Sequence, residues 1–166
     1  MLPEKSIRRI LIYVDGSEKC ITAAQYGIAL AKKTDAELTA LYVVNISLLE
    51  ELVKARIFVK IEEMDYRHDL EHDGRRYLNY ISELAKSKGI EIKTELIKGV
   101  VNKVVCQMIE EWRVDLLIMG ELEAVLSRTD TYHDEAELIL RKAKCSVLVV
   151  KDPDRVERIF NNIEEN

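Results

Sequence analysis

Five segments of the chain have the hydrophobic pattern of β-strands. Four of them are short, continuous apolar runs, which is typical of strands buried on both faces of a sheet; they lie at residues 9–14, 37–44, 114–120 and 145–150. The fifth, residues 90–97, alternates apolar and polar side chains. This alternation predicts a strand with one exposed face, at or near an edge of the sheet.

The segments between these strands have helical periodicity. In residues 17–33, apolar side chains recur at spacings of three and four, and the preceding Asp15-Gly-Ser17 supplies a turn and an N-cap. Further helices are predicted from Ser47 toward Ile61, over residues 62–88, from Asn102 as the cap, after the loop that follows Gly120, and over residues 155–165. The alternation of strands and helices predicts an α/β fold: a doubly wound, five-stranded, mostly parallel sheet flanked by helices, Rossmann-like, with right-handed crossovers.

The pattern indicates one domain followed by an extension. No repeat, low-complexity linker or charge block divides the chain, so we assign residues 1–151 to the α/β domain and residues 152–166 to a C-terminal helical extension. The extension has apolar side chains on one face of its helix. It is therefore expected either to pack on its own domain or to meet a partner.

Composition narrows the class of partner. The chain has 166 residues, of which 48% are hydrophobic, and a net charge of -5 with basic and acidic residues interleaved. Nucleic acid and an anionic membrane are therefore not expected as partners. No apolar run approaches the roughly 20 residues of a membrane-spanning helix, and the first residues lead directly into a strand, so we expect a cytoplasmic protein.

The three cysteines have no spacing that indicates a site. Cys20 and Cys106 lie in predicted helices, Cys145 opens a predicted strand, and no CxxC pair is present. Buried, reduced thiols are the expected state.

The loop after Gly120 lies where a ligand is expected, because ligands of open α/β sheets bind beyond the carboxyl ends of the strands. Phosphate is usually held there by glycine-exposed backbone amides at a helix N-terminus. The loop from Glu121 to Glu135 contains no second glycine and has carboxylates at both ends. This pattern of elements predicts the position of the site, but the residues that would bind phosphate are absent from the loop.

Three separated segments together resemble the universal stress protein family. They are Ile10-Leu-Ile-Tyr-Val-Asp15-Gly-Ser-Glu18, Val114-Asp-Leu-Leu-Ile-Met-Gly120, and Leu140-Arg-Lys-Ala-Lys-Cys145-Ser-Val-Leu-Val-Val150. The resemblance implies a fold like that of the adenine nucleotide alpha hydrolases. It also implies a homodimer paired through the last strand, Ser146 to Val150.

The resemblance further implies a nucleotide site, which takes ATP or AMP with Mg²⁺ in the binding members. In those members Gly, two residues, Gly, nine residues, Gly, and then Ser or Thr follow strand four. From Gly120, the later positions of that motif hold Glu123, His133 and Asp134. If the site functions, its implied residues are Asp15, Val43, Val44, Gly120, Ser127 and Arg128.

The substitutions in this motif have a physical consequence. A side chain in place of glycine prevents close approach of the backbone to phosphate, and Asp134 is predicted to serve the following helix N-terminus as an internal anion. Nearby carboxylates would repel a triphosphate. The sequence therefore predicts that ATP is not bound in the family manner, although a rebuilt phosphate site remains an alternative.

A second motif indicates a different chemistry. His68-Asp-Leu-Glu71-His72 matches H-x-x-E-H, in which two histidines one helical turn apart hold zinc and the glutamate acts as general base. A catalytic zinc site needs a third protein ligand, and the surrounding residues are typical of a solvated helical face. Metal binding through His68 and His72 is kept as an alternative.

No arrangement of serine, cysteine and histidine residues has the spacing of a nucleophilic site. We therefore expect a non-catalytic, dimeric stress-response module that acts through contacts with unknown protein partners. The alternatives are an adenine-nucleotide sensor and a metal-binding protein.

Overall fold

The computed structural model of the chain describes residues 7–55, 60–122 and 134–164. The strands in this part are β1 (Arg9–Val14), β2 (Glu37–Asn45), β3 (Ile92–Gly99), β4 (Leu116–Gly120) and β5 (Ser146–Val150). The helices are α1 (Glu18–Thr34), α2 (Ile46–Lys54), α3 (Lys60–Ser87), α4 (Val101–Glu111), α5 (Asp134–Lys142) and α6 (Pro153–Asn161).

The five strands form one parallel sheet in the order β3-β2-β1-β4-β5. The predicted α/β fold is confirmed, and β3 lies at an edge of the sheet as its alternating pattern predicted. The central strand β1 pairs with β2 on one side and with β4 on the other. The order of the strands reverses at this point, which creates a crevice between the carboxyl ends of β1 and β4.

Helices cover both faces of the sheet. Side chains of β1 alternate between the two layers, so that Ile10 and Ile12 contact the core beneath α1, α3 and α6, and Leu11 contacts the core beneath α4 and α5. All three are at most 1% exposed. The continuous apolar runs of the sequence thus correspond to strands that are buried on both faces.

The start of α4 differs from the prediction. The helix begins at Val101, and Val100 occupies the N-cap position without a side-chain hydrogen bond. Asn102, predicted as the cap, is already inside the first turn. Its amide groups donate to a carboxylate from α5, a contact that no local sequence signal indicates.

The C-terminal extension packs on its own domain. Helix α6 lies against α1, and Val156 and Phe160 are buried there. The ammonium group of Lys88 lies 4.9 Å from the centre of the Phe160 ring, which is a favourable cation–π distance. The helix begins at Pro153, two residues earlier than predicted, because proline is well suited to the first helical turn and Asp152 accepts a hydrogen bond from the backbone of Arg155.

Across residues 7–55, 60–122 and 134–164, none of the helices combines the length and the apolar character needed to cross a membrane.

Candidate functional site

The carboxyl ends of β1, β2 and β4 border a cavity of about 370 Å³, which we name the crevice. The first turns of α4 and α5 and the first half of α3 complete its walls. Its lining is Tyr13, Asp15, Ser17, Lys19, Tyr42, Val43, Asn45, Tyr66, Leu70, Val101, Met119, Gly120, Glu121, Leu122, Glu135 and Ala136.

A larger cavity of about 480 Å³ lies at the opposite edge of the sheet, beside the amino ends of β1, β2 and β3. Two of its cations already share a carboxylate, because Arg9 Nε and Lys93 Nζ lie 3.6 Å and 3.9 Å from Glu37 Oε2. Ligands of open α/β sheets bind at the carboxyl edge. We therefore take the crevice as the candidate site.

Asp15 is held at the crevice by the turn between β1 and α1. Its Oδ1 atom accepts hydrogen bonds from the backbone amide of Ser17 at 2.9 Å and from the Ser17 hydroxyl at 2.6 Å. Gly16 between them has a φ of 82°, which glycine adopts without strain. The turn thus fixes the carboxylate of Asp15 at the carboxyl end of β1.

The side chain of Glu135, a residue of α5, binds the N-terminus of α4. Its Oε2 atom accepts hydrogen bonds from the backbone amide of Asn102 at 2.7 Å and from the side-chain amide of Asn102 at 2.8 Å. The partial positive charge of a helix N-terminus attracts anions, and here the protein supplies the anion itself. The sequence predicted such a role for Asp134 on its own helix; the Asp134 side chain lies outside the described residues, and its neighbour Glu135 performs the role on α4.

The described lining of the crevice has more carboxylates than cations. Asp15, Glu121 and Glu135 carry negative charge, and Lys19 is the cation among the described lining residues. Glu121 is only loosely compensated, since its Oε1 atom lies 3.9 Å from Lys151 Nζ. The formal charge of this part of the lining is therefore negative.

Three tyrosines supply the aromatic surface of the crevice. Tyr42 is 8% exposed, and it lines the crevice. Burial raises the pKa of the Tyr42 phenol, and the carboxylates of Asp73 and Asp15 raise it further. Burial likewise raises the pKa of the Tyr13 phenol, and the carboxylates of Asp15 and Glu135 raise it further.

The wall formed by α3 depends on Gly74. A Cβ atom at this position would lie 2.5 Å from Cδ1 of Tyr42, so only glycine lets the helix approach the ring this closely. The sequence interpretation of this segment as a solvated face is wrong at Gly74, which is buried, and at Leu70, which packs on the core. It is right for His68 and His72, which are exposed.

The structure brings some of the residues implied by the family resemblance together. Asp15, Val43 and Gly120 line the crevice. Val44 does not, because neighbouring strand residues point to opposite faces and Val44 is buried beneath α1 and α3. Ser127 and Arg128 lie outside the described residues.

Sequence reasoning missed all the tyrosines of the crevice lining, together with an asparagine and a leucine. The missed residues are Tyr13, Tyr42, Asn45, Tyr66 and Leu70. Tyr13 is one position before the end of β1 and Tyr42 is three positions before the end of β2, so their closeness to strand ends was a usable signal. The α3 residues had no comparable signal, since their helix reaches the crevice only through tertiary packing.

The glutamate of the H-x-x-E-H motif, Glu71, forms an ion pair with a lysine of β3. Glu71 Oε1 lies 2.6 Å from Lys98 Nζ on β3, and this hydrogen bond lowers the pKa of the Glu71 carboxyl. The candidate general base is thus an ion-pair partner. In the part of the chain that the structure describes, no three His, Cys, Asp or Glu side chains are grouped so as to hold a metal ion.

The cysteines differ in accessibility. Cys20 is 1% exposed, as expected, and its thiol donates a hydrogen bond to the carbonyl of Ser17 at 3.0 Å. Burial, with a further contribution from Asp15, raises the pKa of Cys20 to about 12. Cys106 and Cys145 are half-buried, and burial raises the pKa of both thiols.

We expect Cys20 to resist alkylation in the native protein. At pH 8 its thiolate fraction is very small, so iodoacetamide should modify Cys20 at least about 100-fold more slowly than an unperturbed thiol. Peptide mass spectrometry on native and denatured samples measures this, with Cys106 and Cys145 as internal controls. Equal native labelling of all three thiols would contradict the prediction.

The same pKa shift has a consequence for stability. The folded state keeps the Cys20 proton up to about pH 12, whereas the unfolded chain releases it near its ordinary value of about 8.5. The folded state therefore binds more protons in this window, and the free energy of unfolding should fall as pH rises through it.

Comparisons with known proteins agree with this architecture. Residues 6–151 match the model of the universal stress protein family. The chain is 31% identical over 152 residues to a universal stress protein of Methanocaldococcus jannaschii, a match that covers 92% of this chain and 86% of that protein.

Two solved structures share the fold. One is a universal stress protein family member from Burkholderia pseudomallei, with a TM-score of 0.68 at 23% identity, covering 90% of this chain and 100% of that one. The other is a family protein from Arabidopsis thaliana with AMP bound, with a TM-score of 0.62 at 17% identity, covering 89% and 94%.

Proposed function

Because this chain belongs to the universal stress protein family, we propose that it is a non-catalytic stress-response module that acts as a homodimer through protein contacts. We further propose that it does not bind ATP in the family manner. The protein partners remain to be identified by experiment.

One observation carries the proposal about ATP: the carboxylate of Glu135 occupies the N-terminus of α4 inside the crevice. Two charges of equal sign about 4 Å apart repel by roughly 4 kcal/mol at an effective dielectric constant of about 20. Asp15 and Glu121 add to this repulsion, and Lys19 offsets part of it. A triphosphate in this crevice would meet carboxylates at positions where phosphate sites present backbone amides.

The chemistry of the described lining supports a non-catalytic role. The Ser17 hydroxyl donates a hydrogen bond to Asp15. No histidine of the described lining lies beside this hydroxyl as a general base. Cys20 is buried next to the crevice as a protonated thiol. Neither side chain has the activated state that a nucleophile requires.

The exposed edge of β5 supports the proposal of a homodimer. This strand pairs with β4 on one side and is the last strand of the sheet on the other. Its central residues Val147, Leu148 and Val149 are half-buried, and helix α6 packs on α1. Pairing of two copies of β5 about a two-fold axis would cover an apolar edge that is otherwise open to unwanted strand pairing.

An adenine-nucleotide sensor is the second candidate. A solved structure of the same fold, from Arabidopsis thaliana, has AMP bound, and Asp15 and Val43 of this chain line the crevice. AMP carries fewer charges than ATP and would meet less repulsion from Glu135. A rebuilt phosphate site would have to involve residues beyond the described lining.

Calorimetric titration distinguishes the two candidates. We expect no saturable binding of ATP at micromolar concentration, with or without Mg²⁺, because the crevice carboxylates repel phosphate. Light scattering on the same sample measures the mass, for which we expect a dimer. Micromolar binding of ATP contradicts the proposal about ATP, and a monomer at high concentration contradicts the proposed assembly.

AMP provides the second arm of this test. Binding of AMP that is lost in Asp15→Ala, in a variant with an unchanged far-ultraviolet circular dichroism spectrum, would favour the sensor.

A further inference from the structure

Helix α3 has two halves that differ in how they pack. After Gly74 the helix is anchored in the core by three buried side chains, Leu78, Ile81 and Ala85. Before Gly74, no side chain of residues 64–73 is fully buried, and Leu70 packs partly on the core. Local opening of a segment costs little free energy when few buried apolar contacts are lost. The first half of α3 can therefore open while the second half stays in place.

The first half of α3 forms one wall of the crevice. Tyr66 and Leu70 belong to the crevice lining, which otherwise comes from the ends of strands and from the first turns of other helices. The two residues are four positions apart, so they lie on the same face of α3. Displacement of residues 64–73 would therefore open this wall of the crevice to solvent.

Gly74 lies at the boundary between the two halves. Glycine is among the least favourable residues inside a helix, because it loses the most backbone freedom there. A Cβ atom at this position would lie 2.5 Å from Cδ1 of Tyr42 and 3.0 Å from Cδ1 of Leu96, so the helix is pressed against the sheet at this point. The contact fixes α3 at Gly74, and the weak helix propensity of glycine favours a bend or break at the same place.

An ion pair joins the first half of α3 to the sheet. Glu71 Oε1 lies 2.6 Å from Lys98 Nζ on β3. The Glu71 side chain is 18% exposed, so the carboxylate is partly shielded from water. Such a pair is screened less than one between two fully exposed side chains. It therefore holds the first half of α3 against β3, three positions before Gly74.

We propose that residues 64–73 of α3 form a lid that opens away from the crevice as one unit, with Gly74 as its boundary and the ion pair between Glu71 and Lys98 as its latch. The structure shows the closed position, in which Tyr66 and Leu70 complete the wall of the crevice. The lid controls access to the crevice whichever molecule enters it, so this inference does not depend on the proposed function.

Amide hydrogen exchange at single-residue resolution tests the lid. We expect the amides of residues 67–73 to share one free energy of opening and, after correction for intrinsic rates, to exchange at least about 10-fold faster than those of residues 78–85. The change in protection should be a step at Gly74. Equal protection on both sides of Gly74, or protection that rises smoothly along the helix as in fraying from its end, would overturn the proposal.

Glu71→Gln tests the latch, because it removes the charge and keeps the size of the side chain. Exchange of residues 67–73 should become about threefold faster, with no change in residues 78–85. Glu137→Gln is the matched control: it removes the same charge from an ion pair within α5, in which Glu137 Oε1 lies 2.7 Å from Arg141 Nη2, and should not affect the lid. No increase in Glu71→Gln, or an equal increase on both sides of Gly74, would contradict the latch.

Exchange of the two charges provides a rescue experiment. Lys98→Glu alone places two carboxylates together and should speed exchange of the lid more than Glu71→Gln does. Glu71→Lys combined with Lys98→Glu restores opposite charges, and the protection of residues 67–73 should return to within about twofold of the unmodified chain. A double variant that remains as unprotected as Lys98→Glu would refute the latch.

Discussion

Replacement of Gly120 by alanine is expected to lower the free energy of unfolding by about 3 kcal/mol, at the upper end of the cost of overpacking a core. A Cβ atom at Gly120 would lie 2.7 Å from the carbonyl oxygen of Lys19 and 2.8 Å from its carbonyl carbon. Both are backbone atoms in the first turn of α1, so the clash cannot be relieved by rotation of a side chain. Urea denaturation measures the effect.

Gly27→Ala is the matched control for this variant. Its added Cβ would lie 2.9 Å from Cδ1 of Ile12, the far end of a flexible side chain. Alanine is also favoured over glycine inside a helix by about 1 kcal/mol, which offsets part of the crowding. We expect Gly27→Ala to cost much less than Gly120→Ala, and equal losses would show that close approach to backbone is not the cause.

Gly74→Ala is expected to destabilise the protein by about 2 kcal/mol, although the same change stabilises most helices. The added Cβ would lie 2.5 Å and 2.6 Å from two carbons of the Tyr42 ring and 3.0 Å from Cδ1 of Leu96. The ring is buried and cannot rotate away without losing its packing. Thermal and urea unfolding should therefore both show a loss in place of the gain that helix propensity predicts.

A double-mutant cycle tests this cause directly. In a Tyr42→Ala background both ring carbons that the added Cβ would meet are absent, and Cδ1 of Leu96 at 3.0 Å, the far end of a flexible side chain, is the contact that remains. Gly74→Ala should then be close to neutral, which corresponds to a coupling energy of about 2 kcal/mol between the two positions. An unchanged cost of Gly74→Ala in that background would show that its effect arises within the helix itself.

The sequence was sufficient to predict the sheet because the necessary information is local. The apolar run from Arg9 to Val14 and the turn residues after it define β1 and the start of α1 without reference to the rest of the chain. The alternation in β3 likewise identified its exposed face and edge position. Asp15 and Gly120 could be placed at the site because Asp15 directly follows one predicted strand and Gly120 is the last residue of another.

The parts that could not be predicted depend on contacts between distant segments. Glu135 and Asn102 are 33 positions apart, and neither has a neighbour that indicates the pairing. Gly74 lies among charged residues on a helix, where a glycine is usually only tolerated, and its importance arises from the ring of Tyr42 on another element. The distinction between Val43 and Val44 was within reach, because the strand period of two places them on opposite faces.

The contact between α6 and α1 also has a consequence for the order in which the protein acquires its native structure. The ribosome makes α1 early and α6 last among the described elements, and the face of α1 that Val156 and Phe160 cover stays open in between. Contacts between segments so far apart in sequence form late and slow the folding of a domain. A nascent chain that ends before α6 therefore presents apolar surface to chaperones, and the docking of α6 on α1 closes it.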